Sequence, residues 1–215
     1  MNLSHSMFRT AALVCAGAGL MFGVAATGGC KSHRESIADK GISEAKSLKT
    51  SLSNLNPQLG NTLTSLNSIF DPKVTSKQAA FNDFSKNLTE TRSMARRVKE
   101  EADSMNTDAS RYFTAWDKEI SRAKTADARE TKAATKAEQL DKYKTIQEYL
   151  SLGNTKFQSM TTNLVSIQEM LKGNLTPEGL SAARPLLDQI NTAAPSLKGT
   201  IDSLMAEMGK TLPGV

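Results

Sequence analysis

One long run of apolar residues at alternating steps of three and four constrains this chain more than any other feature. No proline or glycine falls between Ser76 and Ala123, the region that contains the run. Such spacing places the side chains on one face of an α-helix, where other helices can bury them. We therefore predict a long helix from Ser76 to about Ala123. The stripe consists of Phe81, Phe84, Leu88, Thr91, Ala95, Val98, Ala102, Met105, Ala109, Tyr112 and Trp116.

Three further segments carry helical spacing. A second stripe runs from Tyr143 to Leu171, and residues 126–142 before it are rich in Ala, Lys and Glu, which favour helix. A third stripe runs from Leu180 to Met208, and a weaker one runs from Ile37 to Phe70. These patterns predict four consecutive helical segments.

Local signals indicate where the last predicted helix begins and where it is interrupted. Thr176 followed by Pro177 is typical of a helix start, with a capping hydroxyl and a proline in the first turn. Pro185 and Pro195 lie inside the same segment. Proline removes a backbone hydrogen bond, so we expect kinks or a break near Ala194.

Short turns near residues 71–75, 123–126 and 173–176 connect the segments, which makes successive helices antiparallel neighbours. Hydrophobic residues make up only 39% of the chain, which favours burial along narrow seams. We predict an all-α fold, an elongated antiparallel bundle or coiled coil of three to four long helices spanning 36–208, with a flexible C-terminus at 209–215. The longest helices, about 45 residues each, would be about 65–70 Å long. Oligomeric state stays open, because a coiled-coil seam can be buried within one chain or between two.

The first thirty residues predict export. Residues 10–26 are small or apolar and carry no charge, and Arg9 precedes them, as in a secretory signal peptide. Gly28-Gly29-Cys30 follows and resembles a bacterial lipobox, in which the cysteine becomes the acylated first residue of the mature protein. We therefore predict a lipoprotein-type signal peptide at 1–29, lipidation at Cys30 and a lipid-anchored tether at 30–35.

Two alternatives to lipidation remain open. Thr27 stands where lipoboxes usually carry Leu, so ordinary cleavage near Ala26 or Gly28 would leave Cys30 as a free thiol. A permanent spanning anchor is less favoured, because the apolar stretch is shorter than the roughly 20 residues that cross a bilayer. Lys31 follows the cysteine in place of the Asp typical of inner-membrane retention. We therefore expect an outer-membrane anchor that faces the periplasm, rather than one in the inner membrane.

The residues offer little to an enzyme or a metal site. His33 is the one histidine after Cys30, so a Ser or Cys nucleophile lacks its usual base. Glu100, Glu101 and Asp103 would point from more than one face of a helix and could not converge on one ion. We predict no catalytic activity, no cofactor and no metal. The charged residues between stripe positions, Asp108 among them, are expected to form a solvated face.

Four cations lie close together on the predicted long helix: Arg92, Arg96, Arg97 and Lys99. In an exported protein we expect no nucleic acid as partner, and an anionic lipid headgroup or a polyanionic wall polymer fits better. Simple balance of surface charge is favoured over either of these partners. The neighbouring aromatic residues Tyr112, Phe113 and Trp116 lie on or beside the stripe, which favours core packing over a ligand pocket.

Three short motifs carry a resemblance to a known family. They are Phe113-x-x-Trp116-x-x-Glu119-Ile120, Leu171-Lys172-x-Asn174-Leu175-Thr176 with Leu180 after it, and Phe70-Asp71. In this order, and after a lipobox, they resemble the uncharacterised bacterial lipoproteins grouped as domain of unknown function 2959. The likeness would cover about residues 30–208, with Thr162 where a proline would be expected. It implies architecture and location, and it transfers no active site.

These observations lead us to expect a lipid-anchored helical rod of the cell envelope with a structural, spacer or protein-interaction role. Its partners would be the bilayer, through acylated Cys30, and an envelope protein or an anionic polymer. One alternative is a membrane-surface module that places the basic helix face on anionic lipid. Another, less favoured, is an enzyme or small-ligand carrier with a pocket between helices.

Overall fold

The computed structural model describes residues 33–212, and within that range the chain forms helices and turns and no strand. The predicted signal peptide and Cys30 lie outside the described residues. The helices are α1 (His33–Phe70), α2 (Lys77–Ser121), α3 (Ala126–Leu171) and α4 (Pro177–Thr211). The predicted all-α helical bundle is therefore confirmed.

Hydroxyl caps begin the last three helices. The side chains of Ser76, Thr125 and Thr176 each accept a hydrogen bond of 3.2 Å from a backbone N–H in the first turn. Such a cap satisfies one of the backbone donors that have no partner inside the helix. The start predicted at Thr176 and Pro177 is confirmed.

The turn between α3 and α4 depends on two glycines. Gly173 has a φ of 78°, a left-handed conformation that side chains with a Cβ rarely adopt. Gly179 lies against the backbone of Asn174, and a Cβ there would overlap the Asn174 carbonyl oxygen. This close approach fixes how tightly the chain folds back into α4.

Side-chain pairs show the direction of each helix relative to its neighbours. Across every pair, residue numbers rise on one helix as they fall on the other, so neighbours are antiparallel. Backbone packing within the described range joins α1 to α2, α2 to α3, α3 to α4 and α4 to α1, which closes a ring. The pairs are Ser47–Glu101, Thr62–Thr91, Asn56–Asp202, Asn67–Asn191, Asn106–Tyr143, Asp117–Lys136, Lys156–Ser196 and Asn163–Gln189.

The fourth helix is shorter than its neighbours and divides the bundle lengthwise. The α1–α4 register, set by Asn56 and Asp202 at 2.9 Å, places the end of α4 beside Ser47. Beyond that level only α1, α2 and α3 continue. We call residues 33–46, 103–121 and 126–146 the three-helix end, and the remainder the four-helix section. With 46 residues, α3 is about 69 Å long.

The buried face of α4 runs its whole length and carries the predicted stripe. Its positions from Ala183 to Met208 are each at most 4% exposed. The helix continues unbroken through Pro185 and Pro195, so the expected break near Ala194 is wrong. Packing on both sides of each proline offsets the lost backbone hydrogen bonds.

Both ends of the bundle are more ordered than the sequence predicts. The predicted tether at 30–35 is already helical from His33 onward. At the other terminus, α4 continues to Thr211, past residue 209 where the sequence places the start of a flexible C-terminus, and Thr211 and Leu212 are 7% and 2% exposed. Residues 213–215 lie outside the described range. In both places the helix extends into a segment that the sequence predicts to be a tether or a flexible end.

Candidate functional site

Arg34 fastens the start of α1 to the end of α2. Its guanidinium carbon lies 4.6 Å from the centre of the Trp116 indole and 5.8 Å from that of the Tyr112 ring. Its Nε is 3.2 Å from a carboxylate oxygen of Glu119. A cation over an aromatic face combined with an ion pair fixes the planar guanidinium in one orientation. The first turn of α1 is therefore held four residues after Cys30. We call these four side chains the Arg34 clamp.

Aromatic rings form the core beneath the Arg34 clamp. Phe113 stacks on Trp116 with ring centres 6.5 Å apart and lies 6.0 Å from Tyr143 of α3. Tyr112 meets both Phe113 and Trp116 edge-on at 5.4 Å. Tyr112 and Trp116 are each 5% exposed, so the predicted core packing of these residues is confirmed.

The two tyrosine hydroxyls of this core are protected from water. Tyr143 donates a hydrogen bond of 2.5 Å to Oδ1 of Asn106. Burial raises the pKa of the Tyr143 hydroxyl above its ordinary value. Burial likewise raises the pKa of Tyr112, and the positive charge of Arg34 partly opposes that rise. Both groups therefore stay neutral well into the alkaline range.

Asp108 is a buried carboxylate that the sequence pattern assigns to the wrong face. We expected it on the solvated face, but its side chain is 2% exposed. Lys40 of α1 lies 3.0 Å from Oδ2, and Arg111 lies 3.3 Å from Oδ1. These two cations compensate for the loss of water around the carboxylate. Asp108 was assigned to the wrong face because the spacing of residues along α2 gives no information about its partner on α1, Lys40.

The four cations of the basic patch all lie on the exposed surface of α2. Two of them are paired within the helix: Arg96 with Glu100 at 3.9 Å, and Lys99 with Asp103. No ion pair among the described residues involves Arg92 or Arg97. The patch is therefore partly neutralised, and it lies along the four-helix section rather than at an end.

The acidic run on α2 does not converge on a common point. Glu101 accepts a hydrogen bond of 3.0 Å from Ser47, whereas Glu100 and Asp103 face the cations of their own helix. Across residues 33–212, no group of three or more His, Cys, Asp or Glu side chains is placed to hold a metal ion. His33 is exposed at the first residue of α1.

A cleft of about 240 Å³ opens between α2 and α3 in the four-helix section, where that section borders the three-helix end. On α2, the predicted seam positions Ala95 and Val98 are only partly buried, and on α3 the same holds for Leu150, Gly153 and Phe157. The continuous seams that we predicted are therefore interrupted on both helices at the same level. Leucines and isoleucines complete the walls from α1 and α4: Leu52, Leu55, Leu197, Ile201 and Leu204.

Polar side chains surround the mouth of this cleft. Lys99, Asp103 and Asn106 contribute from α2, and Gln147 and Asn154 contribute from α3. Gln147 donates to the Asn106 oxygen at 3.3 Å, next to the bond from Tyr143. An apolar interior with a few polar groups at its opening is the usual make-up of a small-molecule site. Sequence reasoning missed the cleft, because seam residues have the same pattern whether or not the helices close over them.

None of the helices in the described range is long and apolar enough to cross a membrane. A family model described as "Protein of unknown function (DUF2959)" matches residues 31–213. That match covers most of the chain and every helix described above, so the chain belongs to this family, as its motifs predicted. No curated protein and no solved structure matches the chain.

Proposed function

We propose that this member of the DUF2959 family is a lipid-anchored helical rod of the bacterial cell envelope that spaces or holds other envelope components without catalysing a reaction. The observation that carries the proposal is the Arg34 clamp. Within the three-helix end, it ties the first turn of α1 to the last turns of α2, immediately after the predicted lipidation site. An anchor at Cys30 would therefore be held in a fixed position relative to the long helical bundle.

Chain length keeps the anchor close to the bundle. Only Lys31 and Ser32 separate Cys30 from the first residue of α1. Three steps of about 3.8 Å bring the Cα atoms of Cys30 and His33 within about 11 Å of each other. An acylated Cys30 would therefore hold the three-helix end at the bilayer surface. The opposite end, with the turns at 71–76 and 172–176, would lie about 65 Å away when the rod stands upright.

The acyl chains themselves would supply a stable anchor. Each buried methylene contributes about 0.8 kcal/mol to membrane binding, and two or more chains give firm attachment. We propose outer-membrane attachment facing the periplasm, because Lys31 follows the cysteine. An envelope protein or an anionic wall polymer at the far end would be the second partner.

The mass of the N-terminal peptide from isolated membranes tests the anchor, beside a Cys30→Ala variant. We expect acylated Cys30 in the wild type and release of the variant as soluble protein. An unmodified N-terminus near Gly28 or Gly29, with both proteins equally soluble, would refute lipid anchoring. Cys30 would then become a candidate for an intermolecular disulfide.

Site-specific photo-crosslinking in cells tests the spacer role. One crosslinker replaces Thr75, which is exposed in the α1–α2 turn at the far end, and a matched one replaces Lys124, exposed in the α2–α3 turn beside the three-helix end. We expect a discrete partner adduct from position 75 and none of the same mass from position 124. Identical adducts from both positions would argue against a rod with two distinct ends.

The second candidate function is binding of anionic lipid by the basic patch, and it is favoured by the unpaired state of Arg92 and Arg97 among the described residues. Arg97 and Arg92 lie 24 and 29 positions before the end of α2, which is about 36–44 Å along the rod. They could touch the bilayer only if the rod lies flat. The two functions therefore predict different orientations.

Vesicle co-sedimentation of residues 31–215 separates the two functions. The basic-patch function predicts salt-sensitive binding to anionic vesicles, because screening weakens exposed charge contacts. It also predicts weaker binding after Arg92→Gln with Arg97→Gln, and no change after Lys124→Gln in the α2–α3 turn combined with Lys132→Gln on α3. Binding that is absent, or equal for both double variants, would exclude a specific role for the patch.

A further inference from the structure

We propose that the cleft between α2 and α3 binds the alkyl chain of a single-chain amphiphile with a small anionic head, and that Lys99 holds the head at the mouth. This site is independent of lipidation at Cys30. It would make the rod a carrier or sensor of free fatty-acid-like molecules, in addition to any spacer role.

The walls are suited to an alkyl chain because all four helices contribute apolar side chains to them. Phe157 and Leu150 come from α3, Val98 from α2, Leu55 from α1 and Leu204 from α4. Farther along α3 the stripe positions from Met160 to Leu171 are closed, and Leu164 is fully buried. The opening is thus a local feature, lined by small or only partly buried residues on the facing helices α2 and α3.

The size of the cleft favours a medium-length chain over a lipid with two chains. An engineered apolar cavity of about 150 Å³ in another protein stays free of water and takes up benzene. The cleft of about 240 Å³ is larger and open on one side, so a chain can enter lengthwise. Gly153 adds to the space, because a Cβ there would come no closer than 3.7 Å to Thr200.

The occupant would be a separate molecule rather than the acyl group of Cys30. Leu52, the residue of the cleft wall nearest the start of α1, lies 19 positions after His33. That separation is about 29 Å along the helix. Acyl chains on Cys30 that anchor the rod in a bilayer would therefore lie beyond the start of α1, on the side away from the cleft.

The mouth favours an anionic head. Lys99 is the cation at the opening, and its present partner is Asp103, one helical turn away and equally exposed. A carboxylate head could take the place of Asp103 at the Lys99 ammonium, because an exposed ion pair contributes little stability and exchanges readily. The amide groups of Asn106 and Asn154 could donate hydrogen bonds to the same head.

Calorimetric titration of residues 31–215 with decanoate tests the site. The four helices and their shared core lie within this range. We expect saturable binding with one site per chain. Gly153→Leu, which fills the cleft, should weaken it at least about tenfold, whereas Gly199→Leu, at an exposed glycine of α4 with open space around it, should leave it unchanged.

Weaker decanoate binding by the Gly153→Leu variant can be distinguished from a failure of that variant to fold. Both substitutions replace a glycine inside a helix by a better helix former, so neither variant should melt below the parent chain. A melting curve for each variant checks this. Absence of saturable decanoate binding to the parent, or equal binding by the Gly153→Leu variant, would overturn the proposal.

The role of the head group is tested with decanoate and neutral 1-decanol on two further variants. Lys99→Gln should weaken decanoate binding by about two- to fivefold, the effect expected for loss of an exposed charge pair, and leave decanol binding unchanged. Asp103→Asn should strengthen decanoate binding, because it removes the competing carboxylate. If neither variant changes the ratio of the two affinities, the assignment of Lys99 is wrong.

Discussion

The two sections of the bundle close their cores by different means. In the four-helix section the most buried side chains are mainly aliphatic, with Leu59, Leu66 and Ile190 at 0% exposure. In the three-helix end, aromatic rings, the Arg34 clamp and the buried carboxylate of Asp108 take their place. Because α4 does not reach the three-helix end, fewer apolar helix faces meet there. Aromatic rings and paired charges occupy the space that α4 occupies in the four-helix section. The section beside the predicted anchor is therefore the more polar and the less densely covered of the two.

The first turns of α3 show this difference most clearly. Between Ala126 and Glu138 every residue is exposed except Lys136, which is partly buried and lies 2.7 Å from Asp117 of α2. The first buried residue of α3 is Gln139, and the buried stripe begins at Tyr143. This stretch relies on helix propensity and one interhelical ion pair. Such regions open locally at lower free energy than a packed core, so we expect the three-helix end to exchange its amide hydrogens first.

The largest effect is expected from a cavity in the four-helix section. Leu59→Ala should lower the free energy of unfolding by about 3 kcal/mol, because the side chain is fully buried and its neighbours cannot collapse fully. The matched variant Leu150→Ala, at a partly exposed wall of the cleft, should cost about 1 kcal/mol. Urea denaturation followed by circular dichroism measures both values. Equal losses would show that the cleft is closed in solution.

Loss of the Arg34 clamp should act on the three-helix end alone. Arg34→Ala removes a cation–π contact and a partly buried ion pair, for a cost of about 1–2 kcal/mol. Hydrogen exchange should show lost protection in the first turns of α1 and unchanged protection in α4. Arg34→Lys keeps the charge without the planar group and should recover part of the loss. Equal loss of protection in α4 would mean that the two sections unfold as one unit.

Much of this contrast lies beyond what the sequence pattern can predict. The stripe of α4 and the cap at Thr176 follow from local spacing, and both were predicted correctly. Asp108 was assigned to the wrong face, and the contacts of Arg34 were not predicted, because their partners come from another helix, at a register that spacing within one segment does not determine. The prolines of α4 were given too much weight, because local hydrogen-bond loss was not compared with the packing of a buried face.

The cleft marks the limit of reasoning from periodicity. A regular stripe indicates which face of a helix points inward, but the separation of two helix axes depends on the sizes of all the residues between them. Ala95 and Gly153 are small residues at facing positions, and this is the one trace of the cleft that the sequence contains. Small residues at a seam also allow close packing, so they could not have predicted an opening.

A smaller effect is expected from the hydroxyl pair in the core of the four-helix section. Thr62 and Thr91 are fully buried and share a hydrogen bond of 2.7 Å between α1 and α2. Thr62→Val should cost about 1 kcal/mol, because it leaves the Thr91 hydroxyl without its main partner. Replacing both by Val should be nearly neutral. If the double variant loses as much free energy of unfolding as the two single variants lose together, the two hydroxyls act separately.

The smallest effect at neutral pH, and the one confined to alkaline solution, concerns Tyr143. The pKa of Tyr143 is raised in the folded chain, so the folded state binds the phenolic proton more tightly than the unfolded state does. This contribution to stability is complete below the unfolded pKa of about 10 and is lost as the pH rises above it. Tyr112, whose pKa is raised by the same burial, adds to the loss with the same sign. Tyr143→Phe should cost about 0.5–1 kcal/mol at pH 7, because it removes the hydrogen bond to Asn106.

Above pH 10 the stability difference between the parent and the Tyr143→Phe variant should therefore narrow and then reverse, because ionisation of the exposed Tyr143 hydroxyl stabilises the unfolded state of the parent alone. Tyr149→Phe, at a partly buried tyrosine of α3, is the matched control, and its stability should follow that of the parent through the same range. Denaturation curves between pH 8 and pH 11 measure the difference, and amide exchange locates it. If amides of the three-helix end exchange no faster than those of α4 at high pH, ionisation of the tyrosines does not determine the stability of that end. The contrast between the two sections would then rest on packing alone.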